Sequence, residues 1–237
     1  MNLLRKDYRK LYLLQDKFLS WWIKLGLPFY LTGGTALGRF YLNHRFSEDL
    51  DFFINRDPLY SDYIKKITTE IQKEFNINLK QALFTDEFSR IFIIDEDLSL
   101  KLEFVNDVSF RSGNPVSAYF GLLDTPYNIL SNKLTAVLSR DEPKDIFDIV
   151  HISLNYSFNW QTVFDDAKQK SVINEIDIEE RLCNFPPEML KNIDWNMMPV
   201  DLEFFSSKLR RIADDFLLGR DNSLCQNINP LTEAQPL

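Results

Sequence analysis

The sequence predicts an α+β protein, with a head of mixed β-sheet and flanking helices over residues 1–123 and an all-helical half over residues 124–237. Three observations predict it. Up to about residue 105, apolar residues switch between the two-residue period of strands and the helical period. After Pro126 only the helical period remains. The 237 residues, 45% of them hydrophobic, suffice for one large domain or two small ones, and chains of this size bury roughly 70% of their surface.

In the head, Leu11, Leu14, Phe18, Trp21 and Trp22 share one stripe, so Leu3 to Leu25 is an amphipathic helix that Gly26 and Pro28 stop. Pro28 to Thr32 is a short strand, and Gly33-Gly34 makes a turn into a second helix over Thr35 to Asn43. Acid and apolar residues alternate from Asp49 to Ile54, the period of a half-buried strand. Pro58 to Phe75 is a helix. Strands follow at Asn78 to Phe84, Arg90 to Ile94 and Leu98 to Val105, the last two joined through Asp95-Glu96-Asp97. Asp107, like those three acids, is expected at a turn facing solvent. In the second half, helices are expected at Tyr127 to Ser139, Pro143 to Leu154, Asn159 to Lys170, Ile178 to Phe185 and Pro199 to Leu218. The polar segment from Asp221 to Leu237 is expected to be loose.

Thirty-five acidic against 27 basic residues give a net charge of −8. That balance excludes indiscriminate coating of DNA, which needs surplus cations to displace counterions. It leaves room for an RNA held in a local basic groove. Cys183 and Cys225 make neither a CxxC pair nor a disulfide framework, and the two histidines, His44 and His151, cannot build a His-rich metal site. Residues Met1 to Lys10 are charged, unlike a signal peptide, and no apolar run approaches the ~20 residues that span a bilayer. The expected setting is cytoplasmic, with no membrane contact.

Chemistry concentrates between residues 31 and 55. A strand delivers the chain to Gly33-Gly34-Thr35 and a helix begins at once. Glycines let a phosphate approach the backbone, and amides at a helix start favour anionic oxygens. The same turn can be purely structural, and it is not a Walker A loop, since no Gly-Lys-Ser/Thr follows. Asp49 and Asp51, at i and i+2 on a strand, point to one side. Two close carboxylates repel unless a cation or proton offsets them. Either they lie on a solvated edge or they hold Mg²⁺ (or Mn²⁺) together with substrate phosphates. Glu103 is a candidate third metal ligand, or else simply the partner of Lys101 on the same strand face.

A third cluster spans Asn132 to Asp148. Lys133 and Arg140, seven apart, share a helix face. On the next helix Asp145 and Asp148 share a face opposite Ile146, Ile149 and Val150. The group is either an ion-pair staple or a site where Lys133 meets triphosphate oxygens as a point charge. In the second case Asp145 or Asp148 orients Lys133 or Arg140, or accepts a proton.

Taken together, Leu31-Thr-Gly-Gly-Thr-Ala-Leu37, His44-Arg-Phe-Ser-Glu-Asp-Leu-Asp-Phe52 and Lys133-x-x-Ala136-x-x-x-Arg140…Lys144-Asp145-x-x-Asp148 resemble the AbiEii/AbiGii-type nucleotidyltransferase toxins over residues 28 to 150. The resemblance implies a nucleotidyltransferase head related to DNA polymerase β, and a toxin-type or phage-defence protein with a cognate antitoxin. It implies transfer of a nucleotide from an NTP to an acceptor hydroxyl, some members using the 3′ end of tRNA. Carried over, Gly33, Gly34, Thr35, Arg45, Ser47, Lys133 and Arg140 bind the nucleotide. Asp49 and Asp51, with Glu103, bind metal, and Lys133 and Asp145 complete the catalytic set. Lys144 stands where the family commonly has Arg, which removes a bidentate contact. Nucleotidylation of a protein side chain, or a degenerate nucleotide- or protein-binding module, are the alternatives. Lys168, Lys170, Lys208, Arg210 and Arg211 are candidate RNA-phosphate contacts or ordinary helix charges.

Overall fold

The computed structural model describes residues 7–191, 193–226 and 228–237. The first helix, α1, runs Tyr8–Trp22 behind an Asp7 cap, whose carboxylate accepts from the Arg9 and Lys10 amides. The start expected at Leu3 lies outside the described residues. Gly26, at φ +60°, closes the short 3₁₀ turn Ile23–Leu25 that ends it.

The chain divides into two compact units, residues 1–36, 47–109 and 115–124 in one, and 37–46, 110–114 and 125–237 in the other. The first unit holds a seven-stranded mixed sheet with strands β1 (Tyr30–Thr32), β2 (Leu50–Asn55), β3 (Leu83–Phe84), β4 (Phe88–Asp95), β5 (Leu98–Asp107), β6 (Val116–Ala118) and β7 (Gly121–Leu123). Their order is β3-β4-β5-β2-β1-β7-β6. Strand β2 is therefore central, antiparallel to β1 and parallel to β5. A parallel pair needs a crossover, and α3 (Tyr60–Glu74) lies in the connection that supplies it.

Alternation sets the two faces of the sheet. Leu50, Phe52 and Ile54 of β2 and Leu100, Leu102 and Phe104 of β5 are buried. Against them pack Phe18 and Trp22 of α1, with Trp22 and Phe52 ring centroids 4.4 Å apart and Phe52 and Phe104 5.5 Å apart. Such aromatic pairs each contribute about 0.5–1.5 kcal/mol beyond burial. On the other face the same alternation leaves Asp51, Lys101 and Glu103 half-buried. The strand expected from Asn78 shortens to Leu83–Phe84, while Ile77 forms only a bridge to Ile93. The hairpin of β6 and β7 was not expected, because three-residue strands are too short to show a period.

In the second unit, helices α4 (Pro126–Ser139), α5 (Pro143–Asn155), α6 (Trp160–Lys168), α7 (Glu175–Cys183) and α8 (Leu202–Leu217) follow the expected helical half. Their starts are written in the sequence. Thr125, Asn159, Asn174 and Asp201 cap α4, α6, α7 and α8 through their side chains, and Pro143 opens α5. A five-residue helix α2, Gly33–Leu37, leads into a π-helical turn Gly38–Leu42 that ends on Asn43 in the left-handed region. The segment after Asp221, expected to be loose, is tied down. Buried Asn222 donates to the Ser153 and Tyr156 carbonyls at 2.7 Å each, Leu231 is buried, and the Leu237 amide bonds Phe40 O at 2.8 Å. A buried amide that caps carbonyls at a helix end holds a polar tail that composition alone reads as free.

Candidate active site

In the first unit the glycine turn approaches Asp51 of β2 closely. Gly33 has φ +69°, and a Cβ added there would stand 2.6 Å from Asp51 Oδ2. Only glycine meets both demands, a left-handed backbone and no side chain. Thr35 is fully buried. Its hydroxyl hydrogen-bonds the Asp49 carbonyl oxygen and lies 2.8 Å from Ser47 Oγ. The Thr35 hydroxyl and Ser47, both expected at the nucleotide, therefore hold the loop that presents Asp49. Helix α1 fixes the same loop from behind. Tyr12 OH accepts from the Ser47 amide at 3.1 Å, buried Gln15 donates to the Ser47 and Glu48 carbonyls, and Tyr8 OH donates to Glu48 at 2.8 Å. Nothing in the sequence pointed to Tyr8, Tyr12 and Gln15, since polar residues on an amphipathic helix carry no sign of their partners.

Asp51 is in register with Glu103 across β2 and β5. Glu103 Oε1 accepts from Arg90 Nε at 2.7 Å and lies 3.3 Å from Lys101 Nζ, which stands 2.9 Å from Asp49 Oδ2. Burial alone would lower the Lys101 pKa, but Asp49, Glu103 and Asp51 hold it above its ordinary value. Asp51 and Glu103 thus sit in register, Lys101 links Asp49 to Glu103, and Arg90 holds Glu103. Among the described residues no three His, Cys, Asp or Glu side chains are grouped as a ready-made metal cage. What the head offers is a carboxylate pair that substrate oxygens would complete, which is how Mg²⁺ is usually held.

The second cluster lies wholly within the helical unit. Arg45, 2% exposed, forks onto Asp148 through Nε at 2.6 Å and Nη2 at 2.7 Å, and its Nη1 donates to Phe46 O at 2.9 Å. Lys133 Nζ joins Asp145 at 2.6 Å and Asp148 at 2.7 Å, and Arg140 forks onto Asp145 at 2.7 and 3.0 Å. His44 Nε2 lies 2.8 Å from Asp148. A carboxylate can only accept, so Nε2 carries the proton, and Nδ1 is buried without a partner among the described residues.

Burial would raise the Asp148 pKa, yet Arg45 and Lys133 hold it well below the usual carboxylate range; burial likewise works against Asp145, which Lys133 and Arg140 lower. Lys133, lowered by burial, is raised further by Asp148 and Asp145. Burial is the largest influence on the histidines, lowering His44 and taking His151 to about 4.

The sequence placed Asp145 and Asp148 on a face opposite the apolar stripe. In the structure they are 1% and 0% exposed, and α5 is buried all round from Asp145 to Val150. Three cations meet them, and paired charges are the form in which carboxylates enter an interior. Arg45 and Lys133, expected to bind nucleotide, have their charged groups on carboxylates of their own unit. Lys170 Nζ is likewise bonded to Asn128 and Asn132 at 2.6 Å each, and Arg211 Nε to Ser223 at 2.5 Å.

The first unit thus combines a mixed sheet whose central strand carries Asp51, with Asp49 immediately before it, beside a glycine turn. Solved structures share the fold. JHP933 from Helicobacter pylori aligns with TM-score 0.58 and 22% identity over 88% of this chain and 92% of that one. MenT4, a nucleotidyltransferase toxin from Mycobacterium tuberculosis, aligns with TM-score 0.51 and 14% identity over 90% and 84%. No curated protein matches the chain by sequence. The family model described as nucleotidyl transferase AbiEii toxin, type IV toxin–antitoxin system, matches residues 21–217. The chain belongs to this family and is a nucleotidyltransferase. Membership implies an NTP substrate and an antitoxin partner.

Proposed function

We propose that this protein transfers a nucleoside monophosphate from an NTP to a hydroxyl at an RNA 3′ end, with tRNA as the acceptor, and acts as a toxin or phage-defence enzyme. The observation that carries the reading is the contact between Gly33 and Asp51. It puts a turn able to admit phosphate against the acids able to hold its counter-ion. The acceptor oxygen bonds the α-phosphorus, the α–β bridging P–O bond breaks, and pyrophosphate leaves.

Asp49 and Asp51 fit Mg²⁺ or Mn²⁺ by their chemistry, hard carboxylate oxygens on a half-open face, and Asp49 already attracts a cation, the Lys101 ammonium. Bound there, a divalent ion would polarise the α-phosphate and favour deprotonation of the acceptor. Backbone amides at Gly34 and Thr35 take phosphate charge as the leaving group forms. Glu103, held by Arg90, keeps its carboxylate in register with Asp51. For Lys133 to reach a phosphate oxygen, its ammonium has to exchange one of its two carboxylates for it.

A net charge of −8 suits a structured RNA recognised by shape over random RNA. Free Cys183 and Cys225, and the absence among the described residues of a helix long and apolar enough to cross a membrane, accord with action in the cytoplasm.

Incubation with α-labelled NTPs, Mg²⁺ and total RNA tests the reading. Label in tRNA that disappears in Asp51→Asn is the expected result. Label in protein makes the enzyme a protein nucleotidylase, and label in neither makes the chain a binding module.

A further inference from the structure

The sequence treated Lys101 as nothing more than a neighbour of Glu103. In the structure its ammonium stands between two strands' acids, 2.9 Å from Asp49 Oδ2 and 3.3 Å from Glu103 Oε1, while Asp51 lies in register with Glu103. Asp49 and Asp51 are the carboxylates that the proposed function assigns to a divalent ion, with Glu103 beside them. A protonated lysine has three donors and no lone pair, so it cannot ligate a metal. It can only hold the place of one.

Resting on that assignment of the metal, we propose that Lys101 is the resident counter-cation of these carboxylates, and that it makes metal loading depend on nucleotide. Among the contacts described, Lys101 answers both Asp49 and Glu103, so its positive charge stands where a divalent ion would otherwise be drawn. Arg90 reaches Glu103 alone among these acids in the contacts described, so it does not stand in the same position. An ion arriving at Asp49 meets a positive charge at hydrogen-bond distance from its ligand and has to displace it. An NTP resolves the conflict in two ways. Its phosphate oxygens complete the metal's coordination, and they give the released ammonium a new anionic partner. The Lys101 side chain is 28% exposed and Asp49 38%, so the ammonium can leave without opening the core.

The test is Mn²⁺ binding to the intact protein, followed by calorimetry and by the paramagnetic spectrum of bound manganese. It is run with Mn²⁺ alone and then with the α,β-methylene analogue of each common NTP. Lys101→Met should bind Mn²⁺ alone roughly tenfold tighter than wild type or better, as expected for removing a like charge at this range. Lys101→Arg should stay near wild type, and the gap between Met and wild type should narrow when the analogue is present. Thermal melts without metal check that each variant folds. Lys101→Met binding no tighter than wild type, or Lys101→Arg tightening as much as Met, overturns the proposal. If Asp51→Asn binds Mn²⁺ plus analogue as wild type does, the metal site itself is misplaced, and the proposed function fails instead.

Discussion

In the head, Asp49 is 38% exposed and its partner Lys101 28%; in the helical unit, Asp148 and Asp145 are 0% and 1% exposed and Lys133 7%. Both regions set acids against cations at similar distances, yet burial makes them different kinds of object. A half-open pair exchanges partners at little cost, because water replaces what leaves. A buried network does not, because any group left alone has lost both its partner and its solvent. Charge meant to bind and release belongs in the first setting, and charge meant to hold helices together belongs in the second.

The sharpest way to break this contrast is to neutralise one carboxylate in each cluster. Asp148→Asn leaves Arg45, Lys133 and His44 facing a neutral amide inside the helical unit. It should cost about 3–5 kcal/mol, the range for breaking a buried pair from one side. Denaturant unfolding checks this, and a loss below about 1 kcal/mol would mean that water reaches the network.

Lys133→Met should cost less, about 1–3 kcal/mol, since Arg140 and Arg45 still answer Asp145 and Asp148. Its affinity for a non-hydrolysable NTP should hardly change in a calorimetric titration. Unchanged stability with weakened affinity would return Lys133 to the triphosphate contact that the sequence suggested.

A smaller effect comes from pH. His151 falls from an ordinary 6.5 to about 4 through burial, with His44 beside it. Between those values the unfolded chain takes up a proton that the folded chain refuses. The stability contributed is present above about pH 6.5 and drains away as the pH falls toward about 4. Melting temperature should therefore drop over that window, and His151→Gln should flatten the slope. Equal slopes in both proteins would place the pH dependence elsewhere.

The same contrast separates what the sequence revealed from what it hid. Strand β2 was legible because Leu50, Phe52 and Ile54 must turn inward, which sends Asp49 and Asp51 to the other side together. Glu103 was suspected as a third acid, but its register with Asp51 was not, since alternation does not say which strand lies beside which. The partners were not legible. Arg45 and Asp148 are 103 residues apart and pair only once the chain has folded. A buried aspartate on α5 looks, in sequence, like a solvated one. Gln15 was hidden for the same reason, as was Lys101, whose proximity to Asp49 depends on β5 lying beside β2. Periodicity reports which way a side chain points and is silent about what it meets.

Ligand-induced stabilisation of wild type and Asp51→Asn tests the claim that the head's acids are the exchange site. Without ligand, Asp51→Asn should melt close to wild type, because the repulsion from Asp49 that it relieves is offset by the attraction to Lys101 that it loses. With Mg²⁺ and a non-hydrolysable NTP at about a hundred times the wild-type Kd, wild type should gain about 2.7 kcal/mol by mass action. Asp51→Asn should gain only a small part of that. Equal gains in the two proteins would contradict the account, since the ligand would then be held without the metal that Asp51 is proposed to bind.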